Sequence, residues 1–289
     1  MATQSIRLIS WNVNGRVKCL SDQSGALALR NPDVVALQEV VPTTVALWHE
    51  KLRQTGWYTL DSFACGPLQN TKRRQYGTFL ASRWPLIPLP PMCVPWPERV
   101  LSALLKTPWD EIEIHTVGIP PGVSNGLIKV EMFEGIFACL ASQTDHLRIL
   151  CGDLNSPKAE FADRRIVTWG QLVSADGSVR IPRTRDSRDV DSWARWDAAE
   201  RNVVEGLARF DLSDVFRKLN GFEVQEYSWY WKGKTDPVGR RFDHVFASER
   251  LHAVGCQYLH DFRKEGLSDH SAIEVDFSPI GRRCHVIAS

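Results

Sequence analysis

The stretch Leu147-Arg148-Ile149-Leu150-Cys151-Gly152-Asp153-Leu154-Asn155-Ser156-Pro157 is an apolar run of strand length that breaks at a glycine into a polar turn. Sheet proteins tend to gather ligand sites just after a buried strand, which makes Asp153 and Asn155 candidate functional groups. The bland alternative is a plain turn, because Asp and Asn are common turn residues. Further β-type runs lie on either side, at 6–13, 34–37, 78–81, 112–117, 242–247 and 273–277. In 111–115 and 272–277 apolar and polar residues alternate, as in strands with one buried face. Helical patterns fall between them: 43–55 opening on a Thr cap, 126–142 with Val130, Phe133, Phe137 and Leu140 spaced three and four apart, and 197–209. Strands interleaved with helices predict a mixed α/β fold, and no internal repeat is visible.

Two segments fall outside this pattern. Residues 84–97 hold six of the 16 prolines. Proline-rich stretches often act as linkers or polyproline ligands, but strand-like segments flank this one on both sides, so it is expected to stay within one sheet. Residues 174–196 are rich in Arg and Asp and read as a long surface loop, a kind of segment that is often functional.

At 289 residues the chain exceeds the usual size of one domain, yet large α/β sandwiches fill this length with a single core, so one domain over 1–289 is expected. The 43% hydrophobic and 24% charged content excludes a disordered, collagen-like or coiled-coil chain. The net charge of +1 means that any affinity for nucleic acid must come from local patches. Seven cysteines form no C-x-x-C pair, which predicts a reduced protein without zinc. No secretory leader or membrane-length apolar run is evident, so an intracellular, cytoplasmic protein is expected, with a nuclear one also allowed.

Four more segments share the character of the first: Ser10-Trp11-Asn12-Val13-Asn14-Gly15, Leu37-Gln38-Glu39, Arg241-Phe242-Asp243-His244 and Ser268-Asp269-His270-Ser271. If Glu39, Asp153, Asp243 and Asp269 converge, each carboxylate pair near 6 Å repels by about 3 kcal/mol at an effective dielectric of 20. Such a cluster calls for a cation. Magnesium suits it, because it prefers oxygen donors and is held by one or two carboxylates plus substrate phosphate. None of the five segments offers a thiolate at its polar positions, which argues against zinc. Taken singly, Asp153 and Asn155 also fit a turn, Asp269 a cap and His270 a satisfied core histidine. His115, His244 and His285 have no such supporting context and read as structural.

In this order the five segments resemble the endonuclease/exonuclease/phosphatase superfamily, closest to its exonuclease III-like abasic endonuclease branch, over residues 10–277. The resemblance implies a four-layer α/β sandwich, two packed mixed β-sheets flanked by helices in the DNase I-like manner. It also implies a metal-dependent phosphoesterase site at one end. On that likeness Glu39 is the principal metal ligand, with Asn14 and Asp269 beside it, and Mg²⁺ is the cofactor, with Mn²⁺ able to substitute. Asp153 activates the attacking water, a general-base role. Asn12 and Asn155 bind phosphate oxygens or hold Asp153. Asp243 fixes the His270 tautomer and favours its charged form, which steadies charge on phosphate. One departure stands out: Gly118 occupies the position where relatives usually carry a phosphate-contacting Tyr or His.

Substrate class is read from three basic loops, Lys72-Arg73-Arg74, the series Arg180, Arg183, Arg185 and Arg188, and Lys232, Lys234, Arg240 and Arg241. Trp193, Trp196, Trp229, Tyr230 and Trp231 accompany the last two. Cations interleaved with aromatics suit a phosphate backbone and stacked bases, with Arg73, Arg74, Arg185, Trp229 and Arg241 as the chosen contacts. A solvated face over core tryptophans is the alternative. The expected activity is hydrolysis of nucleic-acid phosphodiesters, DNA before RNA. The alternatives are a small-molecule or lipid phosphoesterase of the same fold, or a catalytically weakened nucleic-acid-binding relative, motivated by Gly118.

Overall fold

A computed structural model describes residues 5–65, 75–174, 176–182, 192–231 and 237–278. Eight strands fill the first half: β1 (Ile6–Asn12), β2 (Val34–Val40), β3 (Tyr58–Asp61), β4 (Gly77–Ser82), β5 (Leu86–Pro88), β6 (Val100–Lys106), β7 (Glu111–Gly118) and β8 (Leu147–Asp153). The first six-stranded sheet runs Ala253–Leu259, Ala272–Phe277, β1, β2, β4, β3. The second runs Ser213–Asp214, Asp243–Ala247, β8, β7, β6, β5. Each sheet has one parallel pair at its centre, β1 with β2 and β7 with β8, and antiparallel pairs outside it. The two sheets thus share one pairing pattern, a kinship that leaves no repeat in the sequence.

The central strands are apolar on both faces because each face meets a layer. Leu8, Ala36, Ile114, Ile149 and Val245 meet between the sheets. Ile9, Trp11, Val35 and Leu37 turn outward and pack with Leu20 and Leu27 of helix Leu20–Arg30 and Trp48 of helix Pro42–Arg53. On the far side Val117, Leu150 and Phe246 pack with Val130, Phe133 and Ile136 of helix Leu127–Leu140 and Val203 of helix Ser192–Val204. Helix, sheet, sheet, helix is the order of layers, and each such Leu or Val buried contributes roughly 1.5–3 kcal/mol.

Several local expectations shift. The helix placed at 43–55 starts at Pro42, whose fixed φ and missing N–H suit the first helical position. Its N-cap is Val41, whose N–H is accepted by the Thr44 hydroxyl, rather than a Thr cap at 43. The helix placed at 197–209 begins earlier, at Ser192, and ends at Val204 before a short 3-10 turn at Gly206–Phe210. It therefore takes five residues from the expected loop 174–196. Within residues 84–97, β5 pairs with β6 at the sheet edge, where proline costs no ladder bond. In Ala272–Phe277 the alternation misleads at Glu274, which is buried because Arg30 and Gln257 hold its carboxylate. The six described cysteines are unpaired. Among the described residues no helix is long and apolar enough to cross a membrane.

Candidate active site

The parallel pairs in the middle of each sheet bring several chain turns to one end. β1 ends at Asn12, β2 carries Glu39 at its penultimate position, β7 ends at Gly118 and β8 at Asp153. The antiparallel neighbours begin there: Asp243 sits directly across from Asp153, and His270 lies two residues before Ala272–Phe277. Local backbone then aims the groups. Glu39 has φ 56°, at a bulge where the pairing of β2 with β4 slips between Gln38 and Val40, and such a bulge re-aims a side chain. Asn14 and Asn155 also have positive φ, 54° and 49°, in the left-handed region that asparagine adopts more readily than other non-glycine residues. Gly152 is obligatory: its φ is 135°, and a Cβ there would stand 2.0 Å from the Val117 carbonyl oxygen.

Asp153 is the hub. Its Oδ1 accepts from the Asn155 backbone N–H at 2.8 Å. Its Oδ2 accepts from the Asn12 and Asn155 side-chain amides at 2.9 and 3.1 Å. Asn12 Oδ1 in turn accepts from the Asn14 N–H at 2.9 Å, fixing which end of the Asn12 amide faces Asp153. His270 donates from Nδ1 to Asp243 Oδ2 at 2.8 Å and turns Nε2 toward Asp153 Oδ2 at 4.0 Å, beyond hydrogen-bond reach. Trp11 Nε1 donates to the His270 carbonyl and the Ser268 hydroxyl to the Asn12 carbonyl, tying this segment to β1. Asp243 is itself seated by Tyr258, whose hydroxyl donates to its carbonyl at 2.6 Å.

The electrostatics follow from burial plus partners. Burial disfavours a charged His270, but the Asp243 and Asp153 carboxylates outweigh it and hold the ring up at about 10. Burial pushes Asp153 up to about 7; the His270 charge opposes this, while Asp243 and Glu39 add to it. One ligand atom each from Asp153, Asp243 and His270 lie within 4.8 Å of one another. Asp243 Oδ1 is buried without a hydrogen-bond partner. Surplus negative charge, an orphaned carboxylate oxygen and an oxygen-rich surround fit a hard divalent cation. A charged His270 opposes a cation placed against its own ring.

Other sequence-derived contacts fare differently. Trp229 Nε1 reaches Asp269 Oδ2 at 3.3 Å, and its ring stacks on Phe242. Arg241, expected to bind phosphate, is instead buried in an ion network: Nε and Nη2 bond Glu160 at 2.6 and 2.7 Å, and Nη2 bonds Asp214 at 2.7 Å. A buried guanidinium whose Nε and Nη2 are held by two carboxylates is not presented to substrate, although its Nη1 has no hydrogen-bond partner. Arg73, Arg74 and Arg185 lie outside the described residues, as does His285. His115 donates to or accepts from the Ser102 hydroxyl at 2.9 Å within the core, and His244 faces the Ser156 and Arg241 carbonyls and Asp214, so both are structural as read.

Four residues beside the site were missed by sequence reasoning. Arg99 is buried beneath the end of β7, with Nη1 3.4 Å from the Gly118 carbonyl and its guanidinium over the rings of Tyr76 and Trp96. Burial lowers its pKa against the pull of Glu39 and Asp153. At Gly118 a Cβ would meet only Gln38, at an ordinary 3.5 Å, so packing does not demand glycine there. Lys129 and Trp169 both donate to the Asn155 carbonyl, at 2.7 and 3.0 Å. Glu200 pairs with Lys129 at 3.0 Å and accepts from the Trp169 N–H. The available signal was a lysine lying in register with Phe133 and Ile136 on an apolar helix stripe.

Comparison with known proteins agrees with this fold. A model of the Endonuclease/Exonuclease/phosphatase family matches residues 9–270. The chain is 23% identical over 288 residues to exodeoxyribonuclease III of Haemophilus influenzae, covering 94% of this chain and 100% of that one. Among solved structures it resembles an AP endonuclease from Archaeoglobus fulgidus, with TM-score 0.64, 15% identity and 94% and 99% of the two chains covered. It also resembles the 3′ phosphatase NExo of Neisseria bound to a product DNA hairpin, with TM-score 0.63, 15% identity and 94% and 99% covered.

Proposed function

The chain belongs to the endonuclease/exonuclease/phosphatase family, and from that premise we propose that it hydrolyses phosphodiester bonds of nucleic acid, DNA before RNA, with Mg²⁺ as its ion. The observation that carries this reading is the Asp243–His270–Asp153 series, in which a histidine held in its charged form faces an amide-braced carboxylate. Exodeoxyribonuclease III and the DNA-bound Neisseria enzyme, as relatives, support a DNA substrate.

In this reading Asp153 takes the proton of the attacking water, a role that needs a carboxylate both positioned and basic enough. The amides of Asn12 and Asn155 orient it. His270 donates from Nε2 to a phosphate oxygen as negative charge develops, and Asp243 keeps that proton on the ring. Glu39, with Asn14 and Asp269, would hold the cation. When bound, the cation neutralises charge on the phosphate oxygens. Arg99 supplies further positive charge from beneath Gly118, the work that a Tyr or His does in relatives.

The test incubates the protein with Mg²⁺ or Mn²⁺ and a panel of abasic duplex, nicked duplex, single-stranded DNA, RNA and a small phosphodiester. EDTA should abolish turnover on every substrate cleaved, Mg²⁺ should restore it, and Mn²⁺ should support it. Turnover undiminished by EDTA, or confined to the small ester, overturns the reading. Arg99→Met should lower kcat by about 10- to 100-fold with a smaller change in KM, as expected for a group acting on transition-state charge. An unchanged kcat would remove Arg99 from the site.

A further inference from the structure

Two cations flank the candidate site without a carboxylate of their own. Lys158 stands three residues beyond Asn155. Its Nζ donates to the Gln171 carbonyl at 2.9 Å and lies 5.9 Å from the centre of the Trp169 ring, whose indole N–H holds the Asn155 carbonyl. Arg240 sits on the short strand Val238–Arg240, directly across from Trp229, whose indole reaches Asp269. Directly paired residues share a face, so Arg240 projects on the side from which Trp229 touches the catalytic segment. One cation is therefore tied to the Asp153–Asn155 turn and the other to the Asp269–His270 turn.

Both are half-buried, and neither is within ion-pair distance of an acid among the described residues. The neighbouring carboxylates are already engaged: Glu160 by Arg217 and Arg241, and Glu200 by Lys129, the Trp169 N–H and the Trp196 indole. Burial lowers the pKa of each; the Arg240 charge lowers Lys158 further, against a pull from Glu200, and Tyr227 works against burial at Arg240. Unpaired like charges kept close and partly desolvated are costly, and an anion between them relieves that cost. Arg241, next in sequence, shows the contrast, since it is neutralised in the core.

We propose that Lys158 and Arg240 form a second anion subsite, which takes an unreacting phosphate of the nucleic-acid strand whose scissile phosphate lies at Asp153. The subsite rests on the proposed nuclease function, and it makes strand length matter. A diester with one phosphate fills the catalytic end alone, whereas an oligonucleotide fills both.

The test compares wild type with the double variant Lys158→Gln/Arg240→Gln. Binding of a fluorescent single-stranded oligodeoxynucleotide is read over a range of salt with EDTA present. Hydrolysis of that oligonucleotide and of bis(4-nitrophenyl) phosphate is read with Mg²⁺. The double variant should bind the oligonucleotide about 10- to 100-fold more weakly, with a salt slope shallower by about 1–2. Its kcat/KM should fall in step through KM, and hydrolysis of the small ester should stay within about twofold of wild type. A methylphosphonate beside the scissile phosphate should weaken wild-type binding and leave the double variant nearly unaffected. Unchanged oligonucleotide affinity and salt slope would overturn the subsite. Equal losses on both substrates would overturn it too, by revealing damage to the catalytic end. Weakened binding with no hydrolysis by wild type under any metal would instead overturn the nuclease reading and leave the anion subsite standing.

Discussion

Replacing Asp153 by Asn should lower kcat on any cleaved substrate by about 10²- to 10⁴-fold, the range lost with a general base, while the folded state stays at least as stable as wild type. Three donors converge on this carboxylate, the Asn155 N–H and the amides of Asn12 and Asn155. An asparagine keeps an acceptor for some of them but has no basic oxygen for the proton of water. One of its edges presents N–H to an N–H, at a cost of roughly 1–3 kcal/mol. Against this, the wild-type carboxylate is itself strained: burial, Asp243 and Glu39 hold it up at about 7. A raised carboxyl value means that stability falls as pH rises from the unfolded value toward 7, and the neutral amide removes that loss. Thermal unfolding at pH 7.5 without metal, set beside single-turnover kinetics with metal, separates the two effects. Full activity in the variant would remove Asp153 from the role of base. A large fall in melting temperature would make it a structural residue.

Arg241→Met should destabilise the fold by about 3–5 kcal/mol, the usual result of leaving buried charges without their partner. For a chain of this size that corresponds to a fall of roughly 10 °C in Tm. Glu160 and Asp214 would lose bonds at 2.6 to 2.7 Å, and only Arg217 would remain on Glu160. The pH dependence carries the sign. Burial works to raise the Glu160 carboxyl, yet Arg241 and Arg217 hold it down at about 2. Asp214 is likewise held below the usual carboxylate range by Arg241 and His244 against burial. Depressed values give stability that is complete above the unfolded values, near pH 4 to 4.5, and is lost as pH falls toward 2. Wild type should therefore lose Tm steeply below pH 4.5. The variant, lacking most of that pairing, should show a flatter acid limb. Arg241→Met/Glu160→Met should recover part of the loss, because it removes a buried charge together with its partner. Equal Tm values for wild type and Arg241→Met would show that the network contributes nothing to stability.

The strands were readable because β1, β2 and β8 carry apolar residues on both of their buried faces, while β7 shows alternation at Glu111-Ile112-Glu113-Ile114. Helix Leu127–Leu140 was equally visible, from apolar residues three and four apart. Helix ends were less so, since Val41 and Pro42 start a helix through backbone geometry rather than a side-chain cap at Thr43. Glu274 and Lys129 defeat patterning altogether. Each is a charge buried by a partner distant in the chain, Arg30 for one and Glu200 for the other.

By itself the sequence determined which side chains stand at the five polar breaks, Asn12, Glu39, Asp153, Asp243 and His270 among them. Side-chain type and strand periodicity are local, and they survive in one dimension. Tertiary structure alone decided which charges meet. It set Asp243 opposite Asp153 by antiparallel register, placed Glu39 at a bulge within electrostatic reach of Asp153, and drew Arg99 beneath Gly118. It also separated Arg240 from Arg241, one half-buried beside Trp229 and the other paired with Glu160 and Asp214 in the interior. The short strand ends at Arg240 and the chain turns into the sheet before Asp243, so neighbours with the same charge end in opposite environments, and only the tertiary packing says which.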